Sequence, residues 1–491
     1  MNSITRYFPV ERAGGHLRRL LIKLWPLWFL ALVMLVGWAQ PARSAEAPTY
    51  DVKRCCELCP RAANRASYVT SYQKNFTTLV QGKDGWLFRS DAELSEQFGP
   101  DQEGLKYLQA FARKLKATTG TRLVMVFQPT KGLVHPDKLP AVSPVQYSWS
   151  FARSQYADAL AGFRRIGLVT PDFLPLLGEG PREHAFYFKR DHHWTPYGAR
   201  RAARIVADRI KQMPVYDQMD HDKQFVTHRS GLIRKVGSLQ DAAKQICGYS
   251  WPNQFVNEFR TEVKGGDEGA GESALFGDTG LPPITLVGTS FSHGATDYNF
   301  AGWLQEYLGV DILNVAIAGG SYDGSMFEYL QSDNFRKSPP KILIWEVPAY
   351  HNLDSVEFYR QVIPLLTNGC ANSEVVLQNT TAVGAGTTEV LYNGGGQFLE
   401  LPSGKYLVDL QFSDPGIKEA DAFVWYVFGR KDRMDLEYGK RVKSSGRFVF
   451  DLAEGENWSD ERFMSMDLKL KPEQVTDGLT VTAKLCRRQD L

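Results

Sequence analysis

The chain reads as an α/β domain built on a doubly wound parallel sheet, followed by an all-β sandwich. Three observations carry this reading. Four apolar runs, Leu123–Phe127, Ile284–Val287, Ile312–Ile317 and Ile342–Trp345, lack the polar alternation of a half-wet strand and suit strands covered on both faces. Helix-patterned stretches at 102–119, 196–212, 297–308 and 322–332 separate them, the alternation expected of an α/β sheet. After Cys370 no helical pattern remains. Short alternating segments, Tyr406–Phe412, Phe423–Phe428, Phe448–Phe450 and Leu479–Leu485, are divided by turns such as Pro402-Ser403-Gly404 and Ser444-Ser445-Gly446, which is sandwich texture.

In chain order, the first 45 residues lie outside either domain. Arg18, Arg19 and Lys23 precede an apolar run from Leu24 to Trp38, and Pro41-Ala42-Arg43-Ser44-Ala45 offers small residues for cleavage. These are the parts of a secretory signal peptide ending at Ala45; the run falls short of the ~20 residues of a spanning helix. The expected domains are 46–369 and 370–491, since the 446 residues beyond position 45 exceed one ordinary core. Six cysteines in an exported chain favour disulfides. Cys56-x-x-Cys59 has no strand before it and no thioredoxin-like surroundings, so a structural role is preferred to a redox one. The helix at 102–119 carries Leu105, Leu108, Ala112 and Leu115 on one face and stops at Gly120. Gly265–Gly271 is the single low-complexity stretch, read as a loop.

Charge excludes one class of partner. Six of the 57 Lys/Arg but one of the 55 Asp/Glu fall within residues 1–45, which leaves 51 basic against 54 acidic residues, a net of −3. Such a chain has no whole-molecule attraction to nucleic acid. Within the sandwich, however, 430–447 holds seven Lys/Arg against three Asp/Glu, beside Trp425, Tyr426, Phe428 and Tyr438. A solvated basic loop and a polyanion-binding surface both fit it.

Chemistry concentrates at two places. Gly288-Thr289-Ser290 follows an apolar strand, and ligands of open parallel sheets bind beyond the carboxyl ends of strands. Taken alone the turn could be a plain helix cap, and it is not a Gly-x-Ser-x-Gly elbow, because Ser292 stands two residues past Ser290. The run Asp191-His192-His193-Trp194-Thr195-Pro196 changes the balance: Thr195 suits an N-cap and Pro196 a first helical residue. Asp191 and His193 would share one side of an extended segment, so the carboxylate orients the imidazole and His193 takes the proton of Ser290. His192 would point away. The same residues could ligate a metal with help from His184, His293 or His351, but no HExxH or second acidic cluster accompanies them; neither metal nor cofactor is expected. Oxyanion donors would be the Ser290 N–H, in front of a following helix, and Gly319-Gly320, with Tyr350 or His351 at the same rim.

This order of parts resembles the AlgX family of periplasmic alginate O-acetyltransferases, in which an SGNH-hydrolase-like domain precedes a carbohydrate-binding module. The resemblance spans the mature chain. It rests on the cysteine-rich start, Gly85-Trp86-Leu87-Phe88, Asp191-His192-His193-Trp194-Thr195, Gly288-Thr289-Ser290-Phe291-Ser292, Ala318-Gly319-Gly320 and the β-rich end closing with Cys486. It implies a triad of Asp191, His193 and Ser290, with Gly320 and Tyr350 as rim candidates. It also implies acetyl transfer onto O2 or O3 of mannuronate residues in an anionic polymer, the acetyl group being supplied by other acetylation and export proteins of the envelope. Two long disulfides would join an N-terminal cysteine to Cys247 and Cys370 to Cys486, with Cys55, Cys56 and Cys59 all open as the N-terminal partner. Trp425, Arg430 and Lys431 are the polysaccharide-binding candidates, on position and charge. An acetylesterase, or a scaffold that binds polymer without acting on it, are the alternatives.

Overall fold

The computed structural model describes residues 58–489 apart from 141–145, 181, 222, 266–279, 295–297 and 454. The expected signal peptide, Cys55, Cys56 and nearly all of the Gly265–Gly271 stretch lie outside the described residues. No described helix is long and apolar enough to cross a membrane.

The four apolar runs form one sheet in the order Arg122–Gln128, Ile342–Pro348, Ile284–Val287, Ile312–Asn314, all parallel. Ile284–Val287 is buried at every residue, as is Ile342–Pro348, so their lack of alternation reflects helices on both faces. The third run is shorter than its apolarity suggests. Asn314 ends it: its amide donates to Ser292 O at 2.8 Å and its oxygen accepts the Ala316 N–H at 3.1 Å, turning the chain out of the ladder. The helices expected at 102–119, 196–212, 297–308 and 322–332 occur as Gln102–Thr119, Pro196–Ile210, Phe300–Leu308 and Gly324–Gln331.

The sandwich has two antiparallel four-stranded sheets. One runs Gly386–Tyr392, Phe463–Leu470, Glu419–Tyr426, Lys431–Glu437; the other runs Arg447–Asp451, Tyr406–Phe412, Thr480–Arg487, Val375–Ala382. The stretch from Lys431 to Glu437, part of what reads as a basic loop, is a strand: Asp432, Met434 and Leu436 are its buried side. The Phe423–Phe428 segment ends early, at Tyr426, because the chain turns at Gly429 (φ 82°) and leaves Phe428 79% exposed.

The N-terminal cysteine that bonds Cys247 is Cys59, not Cys55, and the second bridge is Cys370–Cys486. Cys59 caps the short helix Pro60–Ala63, which packs on the Ser238–Cys247 helix through Leu58, Ala62, Leu239, Ala243 and Ile246. That packing sets the partner, and a cysteine's place in the sequence does not encode it.

Candidate active site

Ser290 lies on the turn that leaves the Ile284–Val287 strand, and two neighbours, Glu346 and Ser325, hold that turn. Glu346, on the adjacent strand and fully buried, accepts from Thr289 N (2.9 Å), Thr289 Oγ1 (3.0 Å) and Ser292 Oγ (3.1 Å). Ser325 Oγ donates to Gly288 O and accepts from Gly288 N, both at 2.9 Å. A side chain at Gly288 would place its Cβ 2.7 Å from Glu346 Oε2, so glycine is what lets the carboxylate reach the turn. No helix follows Ser290 directly, contrary to expectation; the next described helix begins at Phe300. A tight turn replaces it, with Ser292 N and His293 N both donating to Thr289 O at 3.1 Å. The Ser290 N–H makes no hydrogen bond among the described residues.

The Pro196 helix starts as read: Thr195 Oγ1 accepts from Gly198 N at 3.1 Å, with Pro196 in the first turn. Just before it, His193 Nε2 sits 2.8 Å from Ser290 Oγ and His193 Nδ1 sits 2.6 Å from Asp191 Oδ1. The three residues therefore form one hydrogen-bonded chain. The segment is bent rather than extended, because Asp191 Oδ1 also accepts the His193 N–H at 2.9 Å. As a result His192 does not point away: its ring lies against that of His193, centroids 3.7 Å apart and tilted by 38°, and its Nδ1 bonds Ser238 Oγ at 2.6 Å.

Electrostatics keep the Asp191 carboxylate charged and the His192 ring neutral. Burial pushes the Asp191 carboxyl up, but the His193 ring, then His192 and Lys235, hold it well below the usual carboxylate range. Its Oδ2 accepts the Ser238 N–H at 2.8 Å, with Lys235 Nζ 3.9 Å away. Burial and the neighbouring His193 push His192 well down. Asp191, His192 and His193 could place their donor atoms within 4.8 Å of one another. Yet both nitrogens of His193 and both oxygens of Asp191 already have partners in the serine arrangement.

Several supporting residues carry no signal at sequence level. Lys131, wholly buried, donates to the carbonyls of Leu87 (2.7 Å), Lys189 (2.8 Å) and Asp191 (3.2 Å), and lies 5.1 Å from the Trp86 ring. It ties the Gly85-Trp86-Leu87-Phe88 segment to the triad loop, and burial lowers its ammonium to about 7. Lys235 bonds Tyr298 Oη at 2.5 Å, and the Tyr298 ring stacks on His193 at 5.2 Å. Lys235 arrives on the antiparallel pair Phe225–Lys235/Gln254–Val263, a long hairpin whose connection holds the Ser238–Cys247 helix, and Ser238 opens that helix; the apolar patterning does not mark either element. Glu346 did have a signal: it is the one charge in a fully apolar strand.

The rim candidates part company. Tyr350 meets Arg89, 5.0 Å from its ring, and shares a small cavity with His192, Phe291 and Glu93. The Gly320 N–H donates to Ile317 O at 3.3 Å, within its own loop. Among the sandwich candidates, Trp425 and Lys431 face each other across paired strands, Lys431 Nζ 4.5 Å from the indole and 4.2 Å from the Phe423 ring. Arg430 belongs elsewhere: it stacks 3.9 Å from Trp458 and pairs with Glu461 at 2.7 Å.

A parallel sheet with Ser, His and Asp converging at its carboxyl edge, continued by an antiparallel sandwich, makes this an SGNH-hydrolase-like domain joined to a carbohydrate-binding module. Family models agree. Residues 79–349 match the SGNH hydrolase-like domain of acetyltransferase AlgX, and residues 369–491 match a C-terminal carbohydrate-binding module. The chain is 43% identical over 452 residues to the alginate biosynthesis protein AlgX of Pseudomonas aeruginosa, covering 91% of this chain and 93% of that one. The solved structure of P. aeruginosa AlgX superposes with a TM-score of 0.77 at 41% identity, over 87% of this chain and 99% of that one. A probable alginate O-acetylase, AlgJ of the same organism, is 29% identical over 296 residues, 57% of this chain and 71% of its own. The chain belongs to the AlgX family.

Proposed function

We propose that the chain is an exported O-acetyltransferase acting on mannuronate hydroxyls of alginate through an acetyl-serine. The observation that carries this is the unbroken Asp191–His193–Ser290 chain at the carboxyl edge of the sheet. His193 Nε2 takes the Ser290 proton as Oγ bonds the donor's acetyl carbon; Asp191 stabilises the imidazolium. The Ser290 N–H faces the oxyanion. His193 then protonates the departing group, leaving acetyl-Ser290. A sugar hydroxyl, deprotonated by His193, attacks that ester, and the proton returns to Ser290 as the acetylated sugar leaves.

Alginate as acceptor is supported by the names of the AlgX and AlgJ relatives, and polymer binding by the Trp425–Lys431 face. Residues 46–369 would carry the chemistry and 370–491 the binding. Two disulfides support export to the periplasm.

The test is mass spectrometry of oligomannuronate incubated with the chain and a small activated acetyl ester, with Ser290→Ala alongside. Acetyl additions are expected in the unsubstituted chain, and at least 1,000-fold fewer in Ser290→Ala. Ester hydrolysis without sugar acetylation would make it an esterase. Equal acetylation by Ser290→Ala would remove the acetyl-serine, and polymer binding without any turnover would make it a scaffold.

A further inference from the structure

The loop between the Lys431–Glu437 and Arg447–Asp451 strands of the sandwich is clamped onto the α/β part. Tyr438 packs 5.3 Å from Phe327 and accepts from Gln331 Nε2 at 3.1 Å. Val442 is 1% exposed, and the Lys443 N–H donates to Glu328 Oε2 at 2.7 Å. From the other side Lys418 Nζ donates to the carbonyls of Lys440 and Val442, at 2.9 and 2.7 Å. The backbone on either side of Arg441 is therefore fixed.

Glycines receive this loop. A Cβ at Gly324 would stand 2.6 Å from Val442 Cγ2, and one at Gly319 (φ 75°) would stand 3.4 Å from Arg441 Cγ. Gly319 belongs to the loop next to the nucleophile turn: the Ile317 N–H donates to Gly288 O at 3.1 Å, and His293 Nδ1 bonds Ala316 O at 2.8 Å. Arg441 thus packs on the loop that follows the Ile312–Asn314 strand at the carboxyl edge of the parallel sheet, a loop hydrogen-bonded to the turn that carries Ser290, although it comes from the other half of the chain.

Its charge is unspent. Arg430, Arg433, Arg447, Arg462, Arg487 and Arg488 of the sandwich each pair with a carboxylate. Arg441 is exposed and has no such partner among the described residues. A guanidinium on a fixed backbone, free of an internal carboxylate, suits bidentate capture of an external one at little ordering cost.

We propose that Arg441 is an acceptor anchor of the site, binding the carboxylate of a uronate residue in the polymer and so setting which hydroxyl reaches Ser290. This rests on the transferase reading for its purpose but not for its test. Dissociation constants for oligomannuronate and for its carboxyl-reduced counterpart are measured on the full chain, on Arg441→Glu and on Arg441→Lys, with transfer kinetics alongside. Arg441→Glu is expected to weaken oligomannuronate binding and raise its KM at least tenfold and to change the reduced acceptor less than threefold, while Arg441→Lys, which keeps the charge but not the bidentate fork, restores only part of the loss. Equal oligomannuronate affinity in Arg441→Glu and the unsubstituted chain overturns the anchor, as does an equal loss for both acceptors. Charge-selective binding without serine-dependent transfer leaves the anchor standing and overturns the transferase instead.

Discussion

Glu346 shows how one buried residue can decide a site's pH response. Burial raises its carboxyl to about 7, against the downward pull of Thr289 and Ser292. A group whose folded value lies above its unfolded one contributes stability fully below the unfolded value, near 4.5, and loses that contribution as pH rises through about 7. Urea midpoints should therefore show the unsubstituted chain losing on the order of 3 kcal/mol between pH 4.5 and 8 from this group. Glu346→Gln, which cannot titrate, should flatten that slope; an unchanged slope would count against the assignment. Asp191 and His193 were legible because an acid, a base and a helix cap fall in six consecutive residues. Lys131 and Lys235 were not, because each acts through a backbone carbonyl or a ring that only folding brings within reach.

At the scale of elements, the junction between the long hairpin and the Ser238–Cys247 helix positions the acid. A Cβ on Gly237 would overlap the Arg190 carbonyl oxygen, and Gln240 N donates to that same oxygen at 3.1 Å. Gly237→Ala must therefore push the Arg190–Asp191 backbone away from Ser238 N. It is expected to lower kcat at least tenfold, and to lower the melting temperature by several degrees. Enzyme kinetics with a thermal melt checks both. The parallel strands were legible as unbroken apolar runs. The hairpin was not, because its strands carry Arg, His, Glu and Thr on a largely wet surface. Lys431–Glu437 was misread for a related reason: alternate charges on its outer face hide the apolar side.

At the scale of the whole molecule, one ion pair among the described residues joins the two halves. Arg360, on the helix Val356–Leu365, is 2% exposed; it pairs with Asp432 of the sandwich at 2.5 Å and donates to the carbonyls of Asp451 and Leu452. Arg360→Met leaves Asp432 buried without its counter-ion and should cost about 3–5 kcal/mol, whereas the double change with Asp432→Leu should recover most of that. Equilibrium unfolding of the single and double variants measures the difference. Equal losses in both would show that the pair itself matters little.

By itself the sequence determined the four parallel strands and the helices between them, the change from α/β to sandwich near Cys370, and the candidates for acid, base and nucleophile. Each of these rests on periodicity or on neighbours in the chain. Tertiary structure alone decided that Cys59 takes Cys247, that the His192 ring lies against His193, that the Gly320 N–H turns to Ile317 O, and that Arg441 meets the loop next to the Ser290 turn. These depend on contacts between segments tens to hundreds of residues apart, and local patterning carries no record of which distant surfaces will pack together.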